Sequence, residues 1–107
     1  MNADEKFSAV RKGLLEFAIL RIIAGDKVYA ADMLKRLQGS AFETQEGTLY
    51  PLLSKLRRDE LVDYEWVESE AGPPRKYYRL TDKGEAHLAD LQAYWARLNA
   101  ALDELGQ

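Results

Sequence analysis

The sequence has no cysteine and a single histidine, His87, among its 107 residues. Without cysteine, disulfides, thiolate nucleophiles and cysteine-ligated zinc sites are all excluded. The sequence also lacks a glycine-rich phosphate loop and a cluster of metal-ligating side chains, so we expect neither an enzyme nor a cofactor. The first residues do not resemble a signal peptide, and no apolar run approaches the ~20 residues that cross a bilayer. We therefore expect a cytoplasmic protein with no membrane partner.

The charge is low but unevenly distributed. The net charge is −3, which argues against a general polyanion binder. Residues 82–107 carry five acidic and two basic side chains, so the preceding 81 residues are neutral. Six cations fall in two short segments, and a local cluster of this kind can bind an anion whatever the net charge is. These cations are Lys55, Arg57, Arg58, Arg75, Lys76 and Arg79.

The first half of the chain predicts helices. Residues 5–24 are apolar on nearly every side of a helical wheel, which is typical of a helix that is buried on several sides. A short second helix is expected at residues 30–37, and Gly39 should stop it. In the segment EGTLYPLLSKLRRDEL, residues 46–61, leucines recur at helical spacing although Pro51 lies among them. Proline is tolerated in a first turn, so we expect this third helix to start close to Gly47.

The second half predicts a hairpin and one long helix. Residues 62–81 alternate polar and apolar side chains around the turn AGPP, as a β-hairpin does. Thr81 should cap the last helix. The predicted fold is mainly α with a small β-hairpin (α+β), a winged helix-turn-helix at residues 1–81 followed by a dimerisation helix at 82–107. Winged helices bind DNA but also serve as protein–protein interaction modules, and the fold alone leaves that alternative open.

Two motifs make the sequence resemble the PadR family of transcriptional regulators. These motifs are EGTLYPLLSKLRRDELV and WVESEAGPPRKYYRLTDKGE, and with a single C-terminal helix the chain resembles the short subclass. The resemblance implies a sequence-specific DNA-binding regulator, most simply a homodimeric repressor that binds a pseudo-palindromic operator. The alternative from another class remains a winged-helix protein-binding module without DNA binding.

The DNA-facing residues follow from the helical wheel and from this resemblance. On the wheel, Thr48, Pro51, Ser54 and Lys55 face outward, and Arg58 can reach a phosphate. Tyr50 lies at the edge of this stripe, where the resemblance implies a DNA contact and packing is the plain alternative. The turn GPPRK places two cations at the base of a wing, which suits phosphates or the minor groove. The predicted DNA-binding residues are Thr48, Tyr50, Pro51, Ser54, Lys55, Arg58, Arg75 and Lys76.

The C-terminal helix carries an apolar stripe with heptad spacing, which predicts that it packs on a partner helix. Its members are Leu88, Leu91, Trp95, Leu98, Leu102 and Leu105. Some short PadR regulators that resemble this chain have a tryptophan at the position of Trp95, facing its symmetry mate across a pore that accepts flat aromatic compounds. The resemblance therefore makes Trp95 a candidate effector-binding residue, and simple core packing is the alternative.

The sequence departs from the family pattern at two places. The family often has His-Gly-Tyr where this chain has Tyr29-Ala30-Ala31, so Tyr29 is the candidate to replace the DNA-backbone contact of the family tyrosine. A serine commonly caps the recognition helix at the position of Gln45. We therefore expect Thr44 to do the capping here.

Overall fold

Helices and one hairpin follow each other in the order that the sequence predicts. The computed structural model describes residues 2–107. This architecture confirms the predicted fold class, a mainly α winged helix-turn-helix with a long C-terminal helix. The elements are α1 (Ala3–Lys6), α2 (Ser8–Gly25), α3 (Ala30–Leu37), α4 (Glu46–Arg58), β1 (Val62–Val67), β2 (Arg75–Leu80) and α5 (Asp82–Leu105).

The predicted first helix is divided in two at Phe7. The backbone of Phe7 leaves helical geometry, with φ −98° and ψ 11°, and separates α1 from α2. Burial on several sides holds only for the C-terminal half of α2, where Ile19, Leu20 and Ile23 are in the core. Phe7 and Val10 are exposed. The apolar N-terminal half of this region is therefore an open surface in the single chain.

One hydrophobic core joins every element from α2 onward. Each helix contributes the face that its spacing predicts, and α5 contributes only from its first turns, through Leu88. Burying a side chain of this size is worth about 1.5–3 kcal/mol, so these contacts dominate the stability of the chain. The largest fully buried side chains are Ile19, Leu20, Met33, Leu49, Leu53, Leu56 and Val62.

Helix α4 begins at Glu46, which confirms the start predicted near Gly47. We had expected Pro51 in the first turn of α4, but this start places it in the second turn. Proline has no N–H, so the carbonyl of Gly47, four residues earlier, receives no helical hydrogen bond, and the proline ring crowds it. Gly47 is exposed, so water can solvate this carbonyl, and the residue has no Cβ that would hinder the carbonyl from tilting outward.

The start of α4 has no side-chain cap, and the expectation that Thr44 provides one is wrong. Gln45 is the N-cap residue and its side chain makes no capping hydrogen bond. Thr44 precedes the N-cap by one residue, so its hydroxyl is not in the position from which a cap reaches the second or third N–H. Glu46 instead places a negative charge near the positive end of the helix dipole.

The two strands form an antiparallel hairpin whose register sets the faces of the wing. Val62 pairs with Leu80, Tyr64 with Tyr78, and Trp66 with Lys76. Because side chains alternate along a strand, these pairs share one face. An isolated bridge from Val28 to Tyr78 attaches the hairpin to the segment that precedes α3.

The connection between α4 and β1 forms a tight junction with the start of α5. Glu60 adopts a left-handed conformation, with φ 62°, and ends α4 in a Schellman motif, in which the Leu61 N–H donates to the Leu56 carbonyl. Thr81 caps α5 as predicted, because its hydroxyl accepts from the Gly84 N–H at 3.0 Å and donates to the Glu60 carbonyl at 2.6 Å. A Cβ on Gly84 would lie 1.9 Å from the Leu61 carbonyl oxygen.

Beyond this junction α5 extends away from the core. Leu88 is buried and Leu91 is half-buried, but Leu102 is 68% and Leu105 82% exposed. The heptad stripe therefore begins in the core of its own chain and ends as an uncovered apolar surface. Contiguous apolar surfaces of this kind mark interaction sites in water-soluble domains.

We predict opposite effects for two substitutions in this junction. Gly84→Ala should lower the free energy of unfolding by about 1–3 kcal/mol, because the new methyl group collides with backbone that cannot rotate away. Glu60→Gly should raise it by up to about 1 kcal/mol, because glycine adopts the left-handed conformation without steric cost. Denaturant titration at fixed protein concentration measures both. Gly47→Ala, with open space around its Cβ, is the control and should be neutral or slightly stabilising.

Candidate nucleic-acid interface

A groove between α4 and the hairpin brings together residues from three elements. We call it the wing groove, and its volume is about 400 Å³. Helix α4 contributes Tyr50 and Ser54, and β2 contributes Arg75 and Lys76. The remaining lining residues are Tyr29, Ala30, Ala31 and Tyr78, so the two alanines that depart from the family pattern form a wall of small side chains.

Four of the eight predicted DNA-binding residues therefore line the wing groove, and the other four lie elsewhere on α4. Thr48 and Pro51 are exposed near its N-terminal end. The Lys55 ammonium lies 3.9 Å from a Glu16 carboxylate oxygen and 3.8 Å from one of Asp59, on the side of α4 that faces α2. Arg58 is exposed at the C-terminal end of the helix, and it lines a separate depression near the start of α5.

Both wing cations are seated on aromatic rings. The Arg75 guanidinium carbon lies 4.5 Å from the centroid of Tyr29, the residue that precedes α3. The Lys76 ammonium lies 4.6 Å from the centroid of Tyr64 and 5.3 Å from that of Trp66, on the opposite face of the hairpin. Arg75 and Lys76 are adjacent in β2 and so point to opposite sides. The wing thus presents a positive charge on each face.

A network of exposed ion pairs surrounds the two carboxylates of β1, Asp63 and Glu65. The Tyr64 N–H donates to an Asp63 carboxylate oxygen at 2.8 Å. This hydrogen bond, together with the positive charges of Arg57 and Arg79, lowers the pKa of the Asp63 carboxyl below its ordinary value of 3.8. The hydrogen bond from the Lys27 ammonium, with its charge, lowers the pKa of Glu65 below 4.5. Exposed pairs of this kind are worth little singly.

The phenol of Tyr78 lies between the wing groove and the core. Burial raises its pKa above the ordinary value of 10.0, with smaller contributions from Tyr64 and Tyr50. The phenol is therefore neutral at physiological pH. It adds no charge to the groove, and the backbone of the same residue forms the bridge that attaches β2 to Val28.

The larger depression at the turn between α3 and α4 has the wrong charge for a phosphate. Its volume is about 800 Å³, and its charged lining residues are Asp32, Glu43 and Glu46 against Lys35. A surface with an excess of carboxylates repels a polyanion. The geometry therefore favours the wing groove over this depression as the site of a nucleic-acid contact.

A second, apolar groove lies between α2 and α5 and includes the predicted effector residue. Trp95 is 40% exposed and faces Leu14, Phe17, Ala18 and Ile22 of α2, with Phe42 and Arg21 completing the wall. We call it the Trp95 groove, and its volume is about 440 Å³. Arg21 is the one charged residue in its lining, and its guanidinium lies 5.9 Å from the Phe17 ring.

Some contacts of the site were not anticipated from the sequence. Arg57, one of the six clustered cations, pairs with Asp63 at 3.5 Å and lies 4.5 Å from the Tyr64 ring. The placement of Lys76 on Trp66 was also missed. The alternation along the two strands does place Lys76 and Trp66 on one face of the hairpin. Only the strand register, however, makes these two residues neighbours.

The part of the chain that the structure describes has neither a candidate metal centre nor a candidate transmembrane helix. Among residues 2–107, no group of three or more histidine, cysteine, aspartate or glutamate side chains is placed to hold a metal ion. No helix within the same residues is both long enough and apolar enough to cross a membrane.

Comparison with known proteins places the chain in a family. Residues 19–90 match the transcriptional regulator PadR-like family. A PadR-like transcription factor from Bacteroides fragilis is 46% identical, covers 95% of this chain and 99% of its own, and superposes with a TM-score of 0.80. A PadR-like transcriptional regulator from Bacillus cereus is 34% identical over 90% of this chain and 94% of its own, with a TM-score of 0.79. A Streptococcus transcriptional regulator is 30% identical over 92% and 97%, with a TM-score of 0.81.

These matches span nearly the whole chain and include the recognition helix, the wing and the start of α5. The fold is that of a winged-helix transcriptional regulator. The chain belongs to the PadR-like family. The resemblance predicted from the GTLYP and PPRKYY motifs is thereby confirmed, and the class of function is DNA-binding transcriptional regulation.

Proposed function

We propose that the chain is a homodimeric, sequence-specific repressor that binds a pseudo-palindromic operator through α4 and the wing. The observation that carries the proposal is the wing groove, because it joins Tyr50 and Ser54 of the recognition helix to Arg75 and Lys76. A helix that enters a major groove and a cationic wing that grips the adjacent backbone form one continuous contact. In this scheme residues 1–81 bind DNA and residues 82–107 dimerise. A transcriptional regulator must reach DNA, which fits the cytoplasmic location that we propose, and we assign it no enzymatic activity.

The N-terminal part of the recognition helix α4 carries small outward side chains, so it can approach base edges closely. Gly47 and Pro51 expose backbone near the N-terminal end of α4, and Thr48 and Ser54 carry short hydroxyl side chains that can donate to bases or phosphates. Lys55 and Arg58 would contact the flanking phosphates. The carboxylates near Lys55 compete for its charge, so its contribution should be smaller than that of either wing cation.

The exposed half of the heptad stripe supports dimerisation. Leu98, Leu102 and Leu105 are uncovered, and the N-terminal half of α2, with Phe7 and Val10, is a second uncovered apolar surface. Burying a fully exposed leucine is worth about 1.5–3 kcal/mol, and covering these leucines contributes the fraction of it that corresponds to their exposed area. A two-fold partner can cover both surfaces by laying its own α5 against α2. Leu88, already buried in its own chain, and Leu91 would then anchor the helix from which the interface extends.

We propose further that a planar aromatic compound binds beside Trp95 and releases the repressor from DNA. In a two-fold dimer the two Trp95 rings can face each other, and opposed indoles stack on a flat ring with about 0.5–1.5 kcal/mol per aromatic pair beyond burial. The Trp95 groove supplies the apolar surroundings. Because Arg21 is its one charged lining residue, a neutral or anionic compound is favoured over a cationic one. The ligand shifts operator affinity only by its differential affinity for the two helix spacings.

DNA binding is tested by its dependence on salt. Arg75→Ala, Lys76→Ala and Lys55→Ala should each weaken binding to the promoter region upstream of the protein's own gene. Each lost phosphate contact reduces the slope of log K against log salt by about 1. Lys6→Ala, in α1 and outside both cationic segments, is the control. Unchanged affinity and slope in all three variants, with folding intact, would identify the chain as a protein-binding module.

Dimerisation is tested on the exposed part of the stripe, so that the core is not disturbed. Leu98→Glu with Leu102→Glu should convert the protein to a 12.2 kDa monomer in analytical ultracentrifugation and reduce operator affinity. Two buried carboxylates cannot be accommodated in an apolar interface. Ala100→Glu, on the opposite side of α5, is the matched control and should leave the mass of the dimer unchanged. A double variant with the mass of the parent would show that α5 is not the interface.

The effector site is tested by fluorescence, because the chain has two tryptophans, Trp66 and Trp95. A planar neutral or anionic dye should quench the Trp66→Phe variant, which retains Trp95, and should not quench Trp95→Ala. The same dye should lower operator affinity in the parent protein. Quenching without any change in operator binding, or no quenching of Trp95, would refute a regulatory site there.

A further inference from the structure

Trp66 is a large aromatic side chain that the core does not use. It lies on β1 and is 62% exposed. Its strand neighbours Val62 and Tyr64 contact the core, but Trp66 does not belong to the buried cluster or to the side chains packed against it. Its neighbours are instead Tyr64 and the cross-strand residue Lys76.

The rings of Tyr64 and Trp66 form a corner that holds the Lys76 ammonium. Their centroids are 6.2 Å apart and their planes are nearly perpendicular, at 89°. The ammonium lies 4.6 Å from the first centroid and 5.3 Å from the second. Both distances are within the ~6 Å at which a cation is attracted to the face of a ring.

An aromatic seat differs from an ion pair in a way that matters for DNA. A carboxylate would also restrain a lysine, but it would cancel the charge that attracts a phosphate, as Glu16 and Asp59 do for Lys55. A ring restrains the ammonium and leaves its full charge available. Among residues 2–107, none of the ion pairs involves Arg75 or Lys76, and each of these two cations is seated on a ring.

We propose that Trp66 is a positioning residue for DNA binding, which holds the Lys76 ammonium at the wing with its charge unneutralised. A free lysine side chain loses rotamer entropy when it is fixed on a phosphate. Lys76 is already restrained, so less of this entropy is lost when DNA binds. The inference rests on the proposed function, and it adds a residue that acts on DNA through Lys76.

The test is a double-mutant cycle on operator affinity. Trp66→Leu removes the ring but keeps an apolar side chain, and it should weaken binding about two- to fivefold, the range expected for an exposed cation–π contact. Trp66→Phe keeps an aromatic face and should retain most of the affinity. In a Lys76→Met background, Trp66→Leu should have no further effect, because the ammonium it positions is gone.

Two further measurements separate positioning from a structural role. Trp66→Leu should leave the melting temperature unchanged and the salt slope as in the parent, because Lys76 still neutralises its phosphate, whereas Lys76→Met should lower the slope by about 1. An equal loss of affinity from Trp66→Leu in both backgrounds, or a lower melting temperature that accounts for the loss, would overturn this inference alone. Unchanged affinity and slope in Lys76→Met would overturn it together with the proposed wing contact.

Discussion

The first turn of α5 lies directly against the backbone that links α4 to β1, and the relative positions of these three elements depend on that contact. Gly84 has no side chain, so the helix can approach the Leu61 carbonyl more closely than any other residue would permit. The Thr81 hydroxyl joins the two backbones by accepting from one and donating to the other. The Lys83 ammonium donates to the Asp59 carbonyl at 3.0 Å. The end of the recognition helix, the start of the wing and the base of the C-terminal helix are thus held as one unit.

Small side chains also shape the exposed surface of α4 and of the wing groove. At the start of α4, a glycine and a proline leave the backbone accessible, and in the wing groove two alanines leave room beside Tyr29. The leucines of α4 lie on its other side, in the core. The surface that meets DNA in our proposal is therefore shaped by small residues and charged at its edge, over a rigid apolar support.

Periodicity predicted most of this architecture because the hydrophobic effect acts along whole elements. The leucine spacing of α4 and the alternation of the hairpin each specify an apolar face. The structure buries the face of α4 and the base of the hairpin face, where Val62 and Tyr78 lie, and leaves Trp66 near the tip exposed. The details that were missed depend on single residues. Phe7 interrupts a helix whose pattern is continuous, and Thr44 precedes the true cap by one position. The cation–aromatic contacts of the wing depend on strand register and rotamers, which a one-dimensional pattern does not contain.

Because α5 is long, a small rotation at its base produces a large displacement at its far end. At 1.5 Å per residue, the part of α5 from Gly84 to Leu105 extends for about 32 Å beyond a fulcrum at Gly84. A tilt of about 5° at Gly84 therefore displaces the tip of α5 by about 3 Å. In the reverse direction, a force on the tip acts on the base through a long lever arm and rotates it by a small angle. Because Gly84 packs against the Leu61 carbonyl, such a rotation would press on the backbone that links α4 to β1. A partner that held the tip of the helix would then constrain the angle at which α4 is presented.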